Sequence, residues 1–290
     1  MCDMKPLKRY KYKTRGGPIP YVKIGKGPVL FLLIGFHSDI DRFHHIIMHF
    51  AKHFTVIAPE YPGIGCSATL AGKPYKTAEY ARIYMRMIKD LKLSSFVLCG
   101  LCYGGIISLR MIKMGLSPQK LLLIETFTSD RMLKLYTYQR VLLPVAKMAF
   151  RNRLVKRLFH KAMKSRLLLS SLFYLVFLKE RNIPEVVKYQ LHLTTMMHPD
   201  AYLDAAEEML NFSLFEPSDR WTIPTVNVFF RTDPQLDSQA ALNDINKHFP
   251  EHDVVYVDYS EHVPSGPMTQ QQVQTTFGPV ASVLRQKLRR

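Results

Sequence analysis

Cysteine is scarce in this chain. Its 290 residues hold four (Cys2, Cys66, Cys99, Cys102), which gives no framework of the kind that staples small secreted domains. Met1-Cys2-Asp3-Met4-Lys5 runs into charged residues with no apolar leader core behind it, and the expectation is a cytoplasmic protein in a reducing compartment. Long apolar runs are missing as well. The longest, Leu167 to Leu178, has 12 residues, short of the roughly 20 that a helix needs to span a bilayer, so it reads as a buried or an interfacial helix. No internal repeat and no low-complexity segment is present. Acidic residues are few: 23 Asp and Glu face 40 Lys and Arg, a formal net charge of +17. From 131 to 179 there are 12 Lys/Arg and no acid at all. That balance suits a solvated basic surface or an acidic partner, such as a membrane surface, a nucleic acid or an anionic substrate. No RNA- or DNA-binding signature accompanies it, which disfavours nucleic acid.

What the chain does contain is an alternation. YKYKTRG and IPYVKIG, parted by Gly16-Gly17-Pro18, read as an antiparallel pair. VLFLLIG, TVIAPEYPG, SFVLCG and KLLLIET are apolar runs of the sort found in strands buried on both faces of a parallel sheet. Between them lie helical patterns: RFHHIIMHFAKHF, AEYARIYMRMIKDLKL and a stretch from Gly104 to about Met114. Strand signals stop from 127 to 220, where IPEVVKYQLHL and AYLDAAEEMLNF read as helices, and resume with TVNVFFR, a helix SQAALNDINKHF, DVVYVDYS and a last helix from Gln270 to Leu288. The pattern predicts an α/β fold: a mostly parallel central sheet flanked by helices, its core in 1–126 and 221–290, with a helical insertion over 127–220. Within the insertion, Leu154, Leu158 and Ala162 fall opposite Arg153, Lys156, Arg157, Lys161 and Lys164, which describes a basic amphipathic helix.

VLCGLCYGG, Val97 to Gly105, admits two readings. As C-G-L-C, Cys99 and Cys102 form a thiol redox pair. As G-L-C-Y-G it is a strand–turn–helix elbow that presents Cys102 as a nucleophile, with Gly100 and Gly104 two residues to either side letting strand and helix approach. Cys99 ends an apolar strand while Cys102 sits in the turn before a helix, a placement that favours the elbow and puts the sulfur near the positive end of the helix dipole.

With GLCYGG where a serine elbow usually stands, TVIAPEYPGIGCS ahead of it and FLLIGFHSD as an oxyanion-type loop, the chain resembles the α/β-hydrolase superfamily over nearly its whole length. Members commonly carry a helical cap after the strand that follows the elbow, where 127–220 falls. The resemblance implies the chain order nucleophile, acid, histidine. NVFFRTDPQLD then offers Asp233 as the acid, with Asp237 as a nearby alternative, and VVYVDYSEHVPS offers His262, preceded by Glu261 where relatives usually have glycine. His44, His45, His49 and His53 read as faces of one helix. The resemblance further implies an oxyanion hole from the backbone N–H groups of Phe36 and Tyr103. Dienelactone hydrolases and polyhydroxyalkanoate synthases also use cysteine at the elbow, although the cap does not match the former and the length and histidine context do not match the latter.

The implied function is cleavage of a carboxylic ester or thioester through a Cys102–His262–Asp233 triad and an acyl-enzyme, on a small apolar acyl substrate, with neither cofactor nor metal. The basic face would serve an anionic head group, a CoA-like phosphate or an acidic membrane surface. Two other readings stay open: an acyltransferase using the same cysteine, and a non-catalytic member whose basic cap binds a membrane or a protein.

Overall fold

The computed structural model describes residues 6–36, 38–135, 140–141, 144, 152–162, 165–178, 182–262 and 267–288. Cys2 and parts of the basic segment, Lys164 among them, lie outside the described residues.

Eight strands form one sheet. β1 (Arg9–Thr14) and β2 (Gly17–Ile24) make an antiparallel ribbon whose register runs from Arg9↔Val22 to Thr14↔Gly17. β2 pairs antiparallel with β4 (Thr55–Pro59), and from there every pairing is parallel: β3 (Val29–Leu33), β5 (Phe96–Leu101), β6 (Lys120–Ile124), β7 (Thr225–Phe230) and β8 (His252–Val257). The order across the sheet is β1-β2-β4-β3-β5-β6-β7-β8. VLFLL, KLLLI and TVNVFF are buried almost throughout because helices cover both faces, and the β1 ribbon at the edge shows the exposed lysines and tyrosines of a strand with one wet side. Succession leaves β3 for β4 on one side and then returns to β5 on the other. That reversal opens a crevice at the carboxyl ends of β3 and β5, the place where open α/β sheets hold ligands.

The sheet is flanked by α1 (His44–Ala51), α2 (Thr77–Asp90) and α3 (Tyr103–Lys113). On α2, Tyr80, Ala81, Tyr84, Met87 and Ile88 recur at helical spacing and are buried. Each buried tyrosine brings a polar end that must be satisfied: Tyr84 donates to the Glu60 carbonyl at 3.1 Å and Tyr61 to the Ile34 carbonyl at 2.5 Å. Full burial of one such side chain contributes about 1.5–3 kcal/mol.

Between β6 and β7 the described chain forms α4 (Arg153–Ala162), α5 (Arg166–Val176), α6 (Ile183–Met196) and α7 (Pro199–Met209). Proline opens both α6 and α7, at positions where a helix has no N–H bond to lose. Two acids tie α7 to the start of α2: Asp204 accepts the Tyr75 N–H at 2.9 Å, and Glu208 accepts the Thr77 N–H and hydroxyl, each at 2.7 Å. Carboxylates there also complement the positive end of α2. On α5, Leu169 and Phe173 pack against Val187 of α6, whereas Leu167, Leu168, Tyr174 and Leu175 stand exposed. The apolar stripe of α4 behaves likewise, with Leu154 63% and Leu158 56% exposed. After β7 come α8 (Ser238–His248) and, after β8, α9 (Gln270–Leu288), which packs on α1.

Candidate active site

β5 enters the crevice and turns sharply into α3. Cys102 occupies the turn with φ 50° and ψ −115°, a left-handed conformation for a residue with a side chain. Such geometry costs on the order of 1–3 kcal/mol and persists only where the surroundings enforce it. Here the enforcement is backbone against backbone. A Cβ on Gly100 would lie 2.5 Å from the Gly105 Cα, and one on Gly104 would run into the Leu33 and Ile34 carbonyls of the neighbouring strand end. Gly105 is pressed in turn onto Thr126, and the Cys102 N–H is held by the Ile124 carbonyl at 2.8 Å.

Two loops bring partners to this thiol. The chain beyond β7 carries Asp233, whose Oδ1 accepts the N–H groups of Gln235 at 2.6 Å and Leu236 at 2.8 Å, fixing the carboxylate so that Oδ2 points at the crevice. The chain beyond β8 carries His262. Its Nδ1 lies 2.5 Å from Asp233 Oδ2 and its Nε2 lies 3.3 Å from Cys102 Sγ. The structure thus brings Cys102, His262 and Asp233 into one continuous chain of contacts. Asp237 is not part of it, because its Oδ1 caps α8 by accepting the Ala240 N–H at 3.0 Å. Glu261, in the place where glycine is usual, accepts a hydrogen bond from the Tyr259 hydroxyl at 3.2 Å.

A second carboxyl group sits under this chain of contacts. Glu125, the residue after β6, is buried, has φ 47°, and accepts the Phe230 N–H through Oε1. Burial, followed by the hydrogen bond and charge of Asp233, pushes its carboxyl up to about 10, so it is a neutral acid at physiological pH. Asp233 goes the other way. Burial works against its charge, but the imidazolium of His262, the bond to it, the neutral Glu125 and the Gln235 N–H hold it well below the usual carboxylate range. His262 is raised well above the ordinary histidine range: burial opposes the charged form, and Asp233 and then Cys102 overcome it. Sequence reasoning missed Glu125. The available signal was a lone acid closing the otherwise apolar run KLLLI.

Cys99 has no place in the site. It lies in β5, buried, its thiol pushed up by burial, and both Cys99 and Cys102 are free thiols. The loop after β3 does reach the elbow: a Cβ on Gly35 would lie 3.8 Å from the Cys102 Cβ. Phe36, half-buried beside the elbow, packs obliquely on the fully buried Tyr103 with ring centroids 5.1 Å apart and on the half-buried Tyr202 of α7 at 6.1 Å. Glu125, Asp233 and His262 offer donor atoms within 4.8 Å of one another. Those donors are turned on each other and on the Phe230 N–H, an arrangement of hydrogen bonds more than of metal ligands. A cleft of about 330 Å³ lined by Lys120, Thr225 and His252 lies at the opposite end of the strands, away from this chemistry.

Comparison with known proteins agrees with the architecture. Haloalkane dehalogenase 2 of Mycobacterium bovis is 28% identical over 109 residues, a match that spans 38% of this chain and 38% of the length of that relative. An esterase from Thermogutta terrifontis superposes with a TM-score of 0.69 at 19% identity, covering 97% of this chain and 98% of its own. An N-acyl homoserine lactonase does so with a TM-score of 0.69 at 17% identity, covering 98% and 97%. At such identities the likeness is one of fold. The family model described as alpha/beta hydrolase fold matches residues 28–265, from the start of the parallel strands to just past His262, and with that span the chain belongs to the α/β-hydrolase family.

Proposed function

We propose that this protein cleaves a carboxylic ester or thioester through Cys102, His262 and Asp233. The observation that carries the reading is the pair of contacts at the elbow, Cys102 Sγ to His262 Nε2 at 3.3 Å and His262 Nδ1 to Asp233 Oδ2 at 2.5 Å. Cys102 adds to the acyl carbonyl as a thiolate, its proton already resting on His262, and Asp233 stabilises that imidazolium and keeps its orientation. The backbone N–H groups of Phe36 and Tyr103 receive the oxyanion, a contribution of about 3–4 kcal/mol for one good donor. Collapse of the tetrahedral intermediate breaks the bond to the leaving alcohol or thiol, which departs with the proton from His262. Water, deprotonated by His262, then attacks the acyl-cysteine, releases the acid and returns the thiol.

In this reading the core is 1–126 and 221–290 and the helices of 127–220 cap the site. Phe36 and Tyr202, backed by the buried Tyr103, favour an apolar acyl group. The esterase and the lactonase among the similar structures support an ester bond as the one cleaved.

Intact-mass analysis after exposure to p-nitrophenyl butyrate tests the proposal. One acyl group on Cys102 is expected, none in Cys102→Ala, and acylation slowed by about 10²-fold or more in His262→Ala. Labelling elsewhere, or an unchanged rate in His262→Ala, overturns it. If added alcohols or thiols capture most of the acyl group, the enzyme is a transferase instead.

A further inference from the structure

We infer that the outer face of α4 and α5 is a docking surface for an anionic lipid bilayer. Single exposed leucines need no explanation, but their concentration here does. Of 13 large apolar side chains exposed among the described residues, eight lie between 154 and 178: Leu154, Leu158, Leu167, Leu168, Tyr174, Leu175, Val176 and Leu178. Leu167 is the most open of them, at 78%. The helix that carries most of them is nonetheless anchored, since Leu169 and Phe173 on its inner side pack against Val187 and Tyr202. One side of α5 is therefore committed to the protein, and the other presents exposed apolar side chains.

Charge selects the occupant. The 131–179 segment has 12 Lys/Arg and no Asp or Glu, and Arg157, Lys161 and Arg166 are exposed beside the leucines. A second copy of the chain would set one basic segment against another without an acid to pair. A nucleic acid would use the cations and leave the leucines in water. An anionic bilayer uses both, the cations meeting head groups and the apolar side chains entering about 5–10 Å at the acyl boundary. No described helix is long and apolar enough to cross a membrane, so the contact is peripheral. The inference goes beyond the proposed reaction and does not depend on it. Its geometric consequence is that the docked helix packs through Phe173 onto Tyr202, whose ring also meets Phe36 beside the elbow.

Vesicle flotation with the full chain tests this without reading activity. Binding to phosphatidylcholine–phosphatidylserine vesicles should exceed binding to phosphatidylcholine vesicles by about 10-fold or more and weaken as salt is raised. Arg157→Glu with Lys161→Glu, and separately Leu168→Ser with Leu175→Ser, should each reduce it by about 10-fold, while circular dichroism stays that of the parent. Lys23→Glu with Lys26→Glu, the same charge change at exposed sites on the other end of the chain, should leave it intact. The inference is overturned if the parent does not bind the anionic vesicles, if the leucine pair is dispensable, or if the Lys23/Lys26 pair is equally damaging. It is also overturned if sedimentation shows a dimer that the leucine substitutions dissociate, which would make a second copy the occupant.

Discussion

Asp233 and Glu125 are two carboxyl groups pushed in opposite directions by one neighbourhood. For Glu125 the native value lies near 10 against 4.5 for the free side chain, so the folded state keeps a proton that the unfolded state releases. By linkage, this group's contribution to stability is complete below about pH 4.5 and declines as pH rises toward 10. Glu125→Gln retains the acceptor for the Phe230 N–H but cannot ionise, so its stability relative to the parent should climb steadily between pH 5 and pH 9 in urea titrations, by about 1 kcal/mol or more. Glu125→Ala removes the same ionisation and also orphans that N–H, so it should lie about 1–3 kcal/mol below Glu125→Gln at every pH. Asp233→Asn removes the charge that raises His262, and the imidazole resonances in NMR should then titrate lower than in the parent. An unmoved titration would place the charge on His262 elsewhere. That Asp233 and His262 meet at the elbow was legible from the chain order that the family resemblance implies and from their strand-end positions, since both depend on local position. Glu125 was not, because its role exists only once β6 and β7 lie side by side and bring the Phe230 N–H to it.

At the level of elements, the turn between β5 and α3 and the tie between α7 and α2 are the two joints that shape the crevice. Gly104→Ala forces a methyl group onto the Leu33 and Ile34 carbonyls. It should cost about 1–3 kcal/mol in denaturant unfolding and slow Cys102 acylation, as the strand end withdraws. Glu208→Ala leaves the Thr77 N–H and hydroxyl without their acceptor and should lower the melting temperature, equivalent to about 1–3 kcal/mol. Strands of this kind were readable in advance because continuous apolar runs can satisfy burial on two faces in only a few ways. The helices of 127–220 were readable as helices, but the direction in which their leucines face was not. Periodicity tells which residues share a side; it does not tell whether a neighbour arrives to cover it, as the i, i+4 pairs Leu154/Leu158, exposed, and Leu169/Phe173, buried, demonstrate.

The whole molecule carries a net charge of +17, and self-repulsion at that level works against compactness. Raising ionic strength from about 10 to 150 mM shortens the screening length to about 8 Å. The melting temperature should rise by several degrees over that range, as measured by differential scanning calorimetry, and a flat or falling trend would mean that ion pairs such as Lys113–Asp219 outweigh the repulsion.

The backbone at Cys102 is shaped by Gly100, Gly104, Gly105 and Thr126, and none of these contacts involves the sulfur. The conformation at this position is therefore indifferent to which small polar atom it presents. A cysteine codon is one base from a serine codon, so hydroxyl chemistry is one mutational step away at a position whose backbone makes no demand on the sulfur. The choice of nucleophile is thus open to selection on reactivity alone, free of any obligation to the fold.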